Sequence, residues 1–168
     1  MRNHVKYLVA MLAAPAMFAA SGALAQDAAS LQKQIDQVKS VLPKFAIPMR
    51  EVGDRFQNMY FAAEGGNWAL AAYMSKYMNG ALNPATLTKP NEYPAWKSFY
   101  ENGFAPVNNA INAKDFKAFE AAYTDVITTC NACHQAMGYG FIKVVKLSAP
   151  ADNGIDYKIK SNPGDVPP

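Results

Sequence analysis

The sequence predicts an all-α protein, built as an antiparallel four-helix bundle with a short N-terminal helix before it and an irregular C-terminal tail after it. Apolar residues recur three and four positions apart through most of the chain, whereas the alternation typical of strands is scarce. Capping residues, glycines and prolines divide this pattern into helical segments joined by short connections. We therefore assign residues 26–147 to one helical domain and residues 148–168 to an extended or disordered tail.

Residues 1–25 are predicted to be a secretory signal peptide. Arg2 and Lys6 give the start of the segment a positive charge, and residues 8–20 form an apolar run. Ala23-Leu24-Ala25 then supplies the small residues of a cleavage site. The alternative, a retained membrane anchor, is disfavoured because the apolar run is short for a membrane span. We expect an exported protein that does not span the membrane.

The balance of basic and acidic residues limits the kinds of partner that the protein is expected to bind. Without Arg2 and Lys6, the 16 basic residues of the full sequence fall to 14, against 13 acidic residues. This near balance predicts neither a nucleic-acid partner nor an anionic membrane surface. Removal of residues 1–25 also takes away one of the two histidines and leaves His134 as the only one.

Proline and glycine separate the first predicted helices. A short amphipathic helix should end at Pro43, and a second should run from about residue 45 or 49 to Glu64, where Gly65-Gly66 stops it. Asn67 can cap a third helix, which Asn83-Pro84 ends. The expected inner faces carry Leu31, Ile35, Val38 and Leu42 in the first helix, Phe45, Met49, Val52, Phe56, Met59 and Ala63 in the second, and Trp68, Ala71, Ala72, Ser75, Met78 and Leu82 in the third.

Two further helices follow a loop predicted over residues 83–92. The fourth should run from about Pro94 to Ile111, with Pro106 bending it or cutting it short. Asn112 can cap the last helix, with Asp115 completing the capping arrangement. The inner seam of this last helix comprises Phe116, Phe119, Tyr123, Val126, Cys130, Cys133 and Met137, at regular helical spacing.

A C-x-x-C-H motif, Cys130-Asn131-Ala132-Cys133-His134, contains the only two cysteines of the sequence. This spacing is the attachment signature of c-type haem, because both thiols lie on one helical face and each can form a thioether to a porphyrin vinyl group. The histidine that follows can reach the iron as proximal ligand. Structural zinc would need four ligands, and a thioredoxin-like site would need a βαβ unit that the pattern lacks. Since the cysteines fall on the apolar seam, we expect the haem to be buried between helices.

A single C-x-x-C-H motif late in the last helix of an exported four-helix chain resembles the cytochrome c′ family and its low-spin relatives. The resemblance covers about residues 44–146. Gly66-Asn67-Trp68, together with Gly138 and Phe141 after the motif, is also similar to a branch of bundle-type c cytochromes. The resemblance implies an antiparallel bundle, one haem c bound by the motif cysteines, and the motif histidine as proximal ligand.

The distal side of the iron decides the function that the resemblance implies. In the family, a coordinating methionine early in the first bundle helix gives a low-spin electron carrier, whereas an apolar residue that does not coordinate gives an iron that binds gases. Met49 is the expected ligand, because the start of its helix should lie opposite the end of the last helix. Met59 lies about 15 Å deeper along the axis, and Met137 lies on the haem helix itself. Core packing of Met49, with an open distal site, is the alternative.

The sequence therefore predicts a periplasmic monohaem c-type cytochrome, with His134 and Met49 as iron ligands, that carries single electrons between redox partner proteins. We do not expect an enzyme, because the one remaining histidine is committed to iron and no other catalytic set is visible. Two alternatives stay open. One is a five-coordinate, gas-binding cytochrome c′-type protein, and the other is an electron-accepting subunit of a periplasmic dehydrogenase, with the tail as a docking strap. The formation of a homodimer also stays open.

Overall fold

The computed structural model describes residues 26–167, and the chain divides into two compact units between Leu42 and Pro43. In the first unit, helix α1 occupies residues 26–41 and its large apolar side chains are exposed. The predicted signal peptide lies outside the described residues. The division falls inside the range 26–147 that the sequence assigns to one domain, and the second unit also includes the tail.

The second unit is helical apart from its connections and its C-terminal segment, and residues 26–167 contain no strand. Its elements are α2 (Ala46–Gly65), α3 (Trp68–Ala81), α4 (Ala85–Thr88), α5 (Tyr93–Ser98), a π-helical turn (Phe99–Gly103), α6 (Ala105–Ala113), α7 (Phe116–Ala136) and a 3₁₀ turn (Pro163–Asp165). The predicted all-α class is confirmed. In the part of the chain that the structure describes, no helix has the length and apolar character needed to cross a bilayer.

Four helices surround the core, because α2 packs on α3 and α7, and α6 packs on the same two helices. Helices α2 and α7 are antiparallel. Phe56 of α2 stacks on Tyr123 of α7 with ring centroids 4.0 Å apart, and one turn later Tyr60 donates a 2.9 Å hydrogen bond from its hydroxyl to Oε1 of Glu120. Burial of each large apolar side chain here stabilises the fold by roughly 1.5–3 kcal/mol.

The junction between α2 and α3 forms as predicted. Gly66 adopts a left-handed conformation, with φ of 82°, and its N–H bonds to the last carbonyls of α2. The side chain of Asn67 then accepts a 3.2 Å hydrogen bond from the backbone N–H of Leu70 and caps α3. The tight turn places α3 directly against α2.

The single helix predicted from Pro94 to Ile111 is wrong, because the structure breaks it. After α5, the π-helical turn closes with a 2.8 Å hydrogen bond from the N–H of Phe104 to the carbonyl of Phe99, and α6 begins at the next residue. Pro106 lies in the first turn of α6, where its missing N–H leaves no helical hydrogen bond unmade. The predicted loop at residues 83–92 also contains α4.

The cap of α7 also differs from the prediction. Asn112 lies within α6, and the capping residue is Asp115, whose carboxylate accepts a 3.0 Å hydrogen bond from the N–H of Ala118. Lys114 turns the chain between the two helices with a left-handed φ of 55°. The connection between the two helices therefore consists of Lys114 and Asp115.

The C-terminal strap, residues 142–167, lies along the helices of the second unit. Asn58 of α2 donates a 2.7 Å hydrogen bond to the carboxylate of Asp152, and its Oδ1 accepts from the N–H of the same residue. Further on, the hydroxyl of Ser161 bonds to the side chain of Asn67 at 2.7 Å. The strap is thus extended and tied to α2 and to the start of α3.

Candidate functional site

The C-x-x-C-H motif occupies the last turns of α7. Cys130 is partly buried, Cys133 is exposed, and His134 is partly buried. The two thiols are three positions apart and therefore share one face of the helix. In contrast to the expectation that both cysteines face the core, the apolar seam of α7 leaves the core after Cys130. The reason is that α2 begins only at Ala46, so the final turn of α7 extends past it.

His134 is oriented by the backbone that follows α7. Gly138 takes a left-handed φ of 82° and reverses the chain, and the carbonyl of Ile142 then lies 3.0 Å from Nδ1 of His134. A carbonyl oxygen can only accept, so Nδ1 carries the proton in this contact. The lone pair of the neutral ring is therefore on Nε2. This is the arrangement in which a metal-binding histidine has its second nitrogen hydrogen-bonded and its ring orientation fixed.

Asn131, between the two cysteines, also binds this returning backbone. Its Nδ2 donates to the carbonyl of Val144 at 2.9 Å, and its Oδ1 accepts from the N–H of Val144 at 2.8 Å. In the sequence, Asn131 is only a spacer between the two cysteines of the motif. No pattern in the sequence indicates that its partner lies 13 residues further on.

Met49 lies in the first turn of α2, partly buried and packed against the core. The antiparallel register of α2 and α7 pairs Phe56 with Tyr123. Two turns before Phe56 in α2, this register puts Met49 level with Cys130, at the end of α7 that carries the motif. Met59 is 0% exposed within the core, and Met137 is exposed beyond the end of α7.

Burial raises the pKa of the Cys130 thiol to about 11, and the neighbouring Cys133 adds to the shift. Cys130 is therefore protonated at neutral pH. Within residues 26–167, no three Cys, His, Asp or Glu side chains are placed to hold a metal ion. Cysteines that act as nucleophiles or redox centres have lowered pKa values, because the thiolate is the reactive form. The raised pKa disfavours Cys130 as a nucleophile.

Exposed apolar side chains follow the motif in the chain. The residues that directly follow α7 include Met137, Tyr139, Phe141 and Ile142, all exposed, with Phe141 81% exposed. Exposed apolar side chains grouped in this way are typical of binding sites. Together with two thiols on one face and an oriented imidazole, they fit a large apolar group such as haem.

Lys146 connects the strap to α2 and α7. Its Nζ donates to the hydroxyl of Tyr60 at 2.6 Å and to the carboxylate of Glu120 at 2.9 Å. The hydrogen bond from Lys146 lowers the pKa of Glu120, and the hydrogen bonds to Tyr60 and Glu120 raise the pKa of Lys146. Both groups are charged at neutral pH, and the pair holds the strap four residues after the carbonyl that binds His134.

Comparisons with protein-family models, with curated proteins and with solved structures found no match. The function of the chain is therefore inferred from its own residues and their geometry.

Proposed function

We propose that this protein is a monohaem c-type cytochrome that carries single electrons between redox partner proteins and has no enzymatic activity. The observation that carries the proposal is the C-x-x-C-H motif at the end of α7, where Nδ1 of His134 bonds to the carbonyl of Ile142 at 3.0 Å. This contact leaves Nε2 of His134 as the nitrogen available to iron.

The residues have distinct roles in this proposal. Cys130 and Cys133 hold haem c through thioethers, His134 is the proximal iron ligand, and Met49 is the distal ligand. The bound haem supplies reversible one-electron chemistry at its iron, and a methionine ligand raises the reduction potential. Helices α2, α3, α6 and α7 form the proposed antiparallel four-helix bundle, with the site at one end.

The surface of the site suits a carrier. Cys133 is exposed, so a group attached to it reaches the protein surface, where a partner can approach. The near balance of charge in residues 26–168 favours protein partners over nucleic acid. The predicted signal peptide at residues 1–25 supports export to the periplasm, because c-type haem is attached outside the bacterial cytoplasm.

Substitution of the proposed distal ligand tests this assignment. We expect the wild-type protein to have a low-spin spectrum in both oxidation states and to resist carbon monoxide. Met49→Leu should give a ferrous protein that binds carbon monoxide and has a lower reduction potential, because the thioether ligand is lost. Visible spectroscopy with and without carbon monoxide measures both effects.

Met59→Leu is the matched control, since Met59 lies on the same helix within the core. It should leave the spectrum unchanged and lower the free energy of unfolding by less than about 1.5 kcal/mol. Rapid binding of carbon monoxide by the wild-type protein would contradict Met49 as ligand and favour the five-coordinate, gas-binding alternative. Co-purification of a larger catalytic chain would instead favour the dehydrogenase subunit.

A further inference from the structure

Asn131 binds both polar groups of one backbone residue in the strap. The two hydrogen bonds to Val144, of 2.9 Å and 2.8 Å, are partly buried and use the amide as donor and as acceptor at once. The strap has no strand beside it here, so the side chain replaces the backbone partner that a sheet would provide.

The same short stretch of strap holds His134. Ile142, whose carbonyl accepts from His134 at 3.0 Å, is two residues before Val144. Two extended residues span only about 7 Å, so the position of Val144 restricts that of Ile142 closely. Asn131 and His134 are three positions apart on α7 and are therefore neighbours on its surface. One turn of α7 therefore forms hydrogen bonds with the strap at two of its residues.

The next anchor of the strap lies further from the histidine. Lys146 bonds to Tyr60 and Glu120 through a long, flexible side chain rather than through its backbone. The Asn131 pair, by contrast, fixes the backbone itself. The pair fixes the strap after Ile142, and the N–H of Ile142 itself donates a 2.8 Å hydrogen bond to the carbonyl of Tyr139 before it; together they hold the Ile142 carbonyl against the imidazole.

We propose that Asn131 is a positioning residue for the axial histidine, and that through Val144 and Ile142 it sets the reduction potential of the haem. The inference rests on the proposed function. A hydrogen bond from Nδ1 increases electron donation by Nε2 to the iron, which favours the oxidised form. Loosening the strap weakens that bond and favours the reduced form.

Asn131→Ala tests the role in the intact haem protein. We expect faster hydrogen exchange at the amide of Val144 and a shift of the redox equilibrium toward the reduced form. The shift should be up to about tenfold, which is about 59 mV for one electron. Asn131→Gln keeps the amide group and should restore part of the change. Ser161→Ala removes a strap contact at the start of α3 and should leave the potential unchanged.

A second variant leaves the motif intact, in case Asn131→Ala impairs haem attachment. Val144→Pro removes the N–H that donates to Asn131 and should shift the potential in the same direction. The positioning role would be overturned by the following result. Hydrogen exchange at the amide of Val144 is faster in Asn131→Ala, yet the reduction potentials of Asn131→Ala and Val144→Pro both equal that of Ser161→Ala. Absence of covalent haem from the wild-type protein would instead overturn the proposed function itself.

Discussion

Asn58 shows how single polar residues hold the strap. Its side chain is 1% exposed, and its Oδ1 accepts from two backbone N–H groups and from the hydroxyl of Tyr157, while its Nδ2 donates to Asp152. From sequence alone, Asn67 and Gly66 could be assigned correctly, because caps and left-handed turns depend on neighbouring residues. Asn58 could not, because its partners lie more than 90 residues away and no local pattern connects them.

Asn58→Ala should lower the free energy of unfolding by about 2 kcal/mol, because it leaves buried strap donors without an acceptor. Chemical denaturation of the variant measures this loss. Gln57→Ala is the neighbouring control, since Gln57 makes one exposed hydrogen bond to the strap, at the carbonyl of Ala149. It should cost less than about 1 kcal/mol. Equal losses in the two variants would contradict the role assigned to the buried amide.

The helices themselves were predictable where their period is continuous. The seam of α7 holds through Phe119, Tyr123 and Val126, which are buried, and the last turn of the helix leaves the core. The break before α6 was not predictable in detail, because the π-helical turn Phe99–Gly103 is a single short turn whose position the apolar period does not mark. The close packing of α2 against the strap was not predictable either. It depends on Gly65, which the sequence marks only as the end of a helix.

Gly65→Ala should separate the strap from α2, because an added Cβ would collide with the backbone carbonyl of Tyr157. We expect a loss of about 1–3 kcal/mol in the free energy of unfolding and faster proteolysis within the strap. Gly53→Ala is the matched control on the same helix, where an added Cβ meets nothing within 4 Å. It should stabilise the protein by up to about 1 kcal/mol. Similar stabilisation by both substitutions would exclude a close contact at Gly65.

At the scale of the whole molecule, the period of the apolar residues was enough to predict the all-α class, whereas haem binding by the motif residues stays a prediction. Neither the period nor the motif could show that the chain returns over the end of α7 to orient His134. That return depends on contacts of Ile142, Val144 and Lys146 with two helices, α2 and α7, which form only when the fold is complete. Separate contacts, through Asp152 and Ser161, hold the tail predicted over residues 148–168 against α2 and the start of α3, and a docking role for it stays a prediction.

The intact mass of the protein after unfolding, following expression with export and haem attachment, tests the central claim most directly. Thioethers survive denaturation, so we predict a polypeptide heavier by one haem, and an unmodified mass when Cys130 and Cys133 are both replaced by serine. Loss of all haem from the wild-type chain on unfolding, or a haem retained by the double variant, would contradict covalent attachment at this motif.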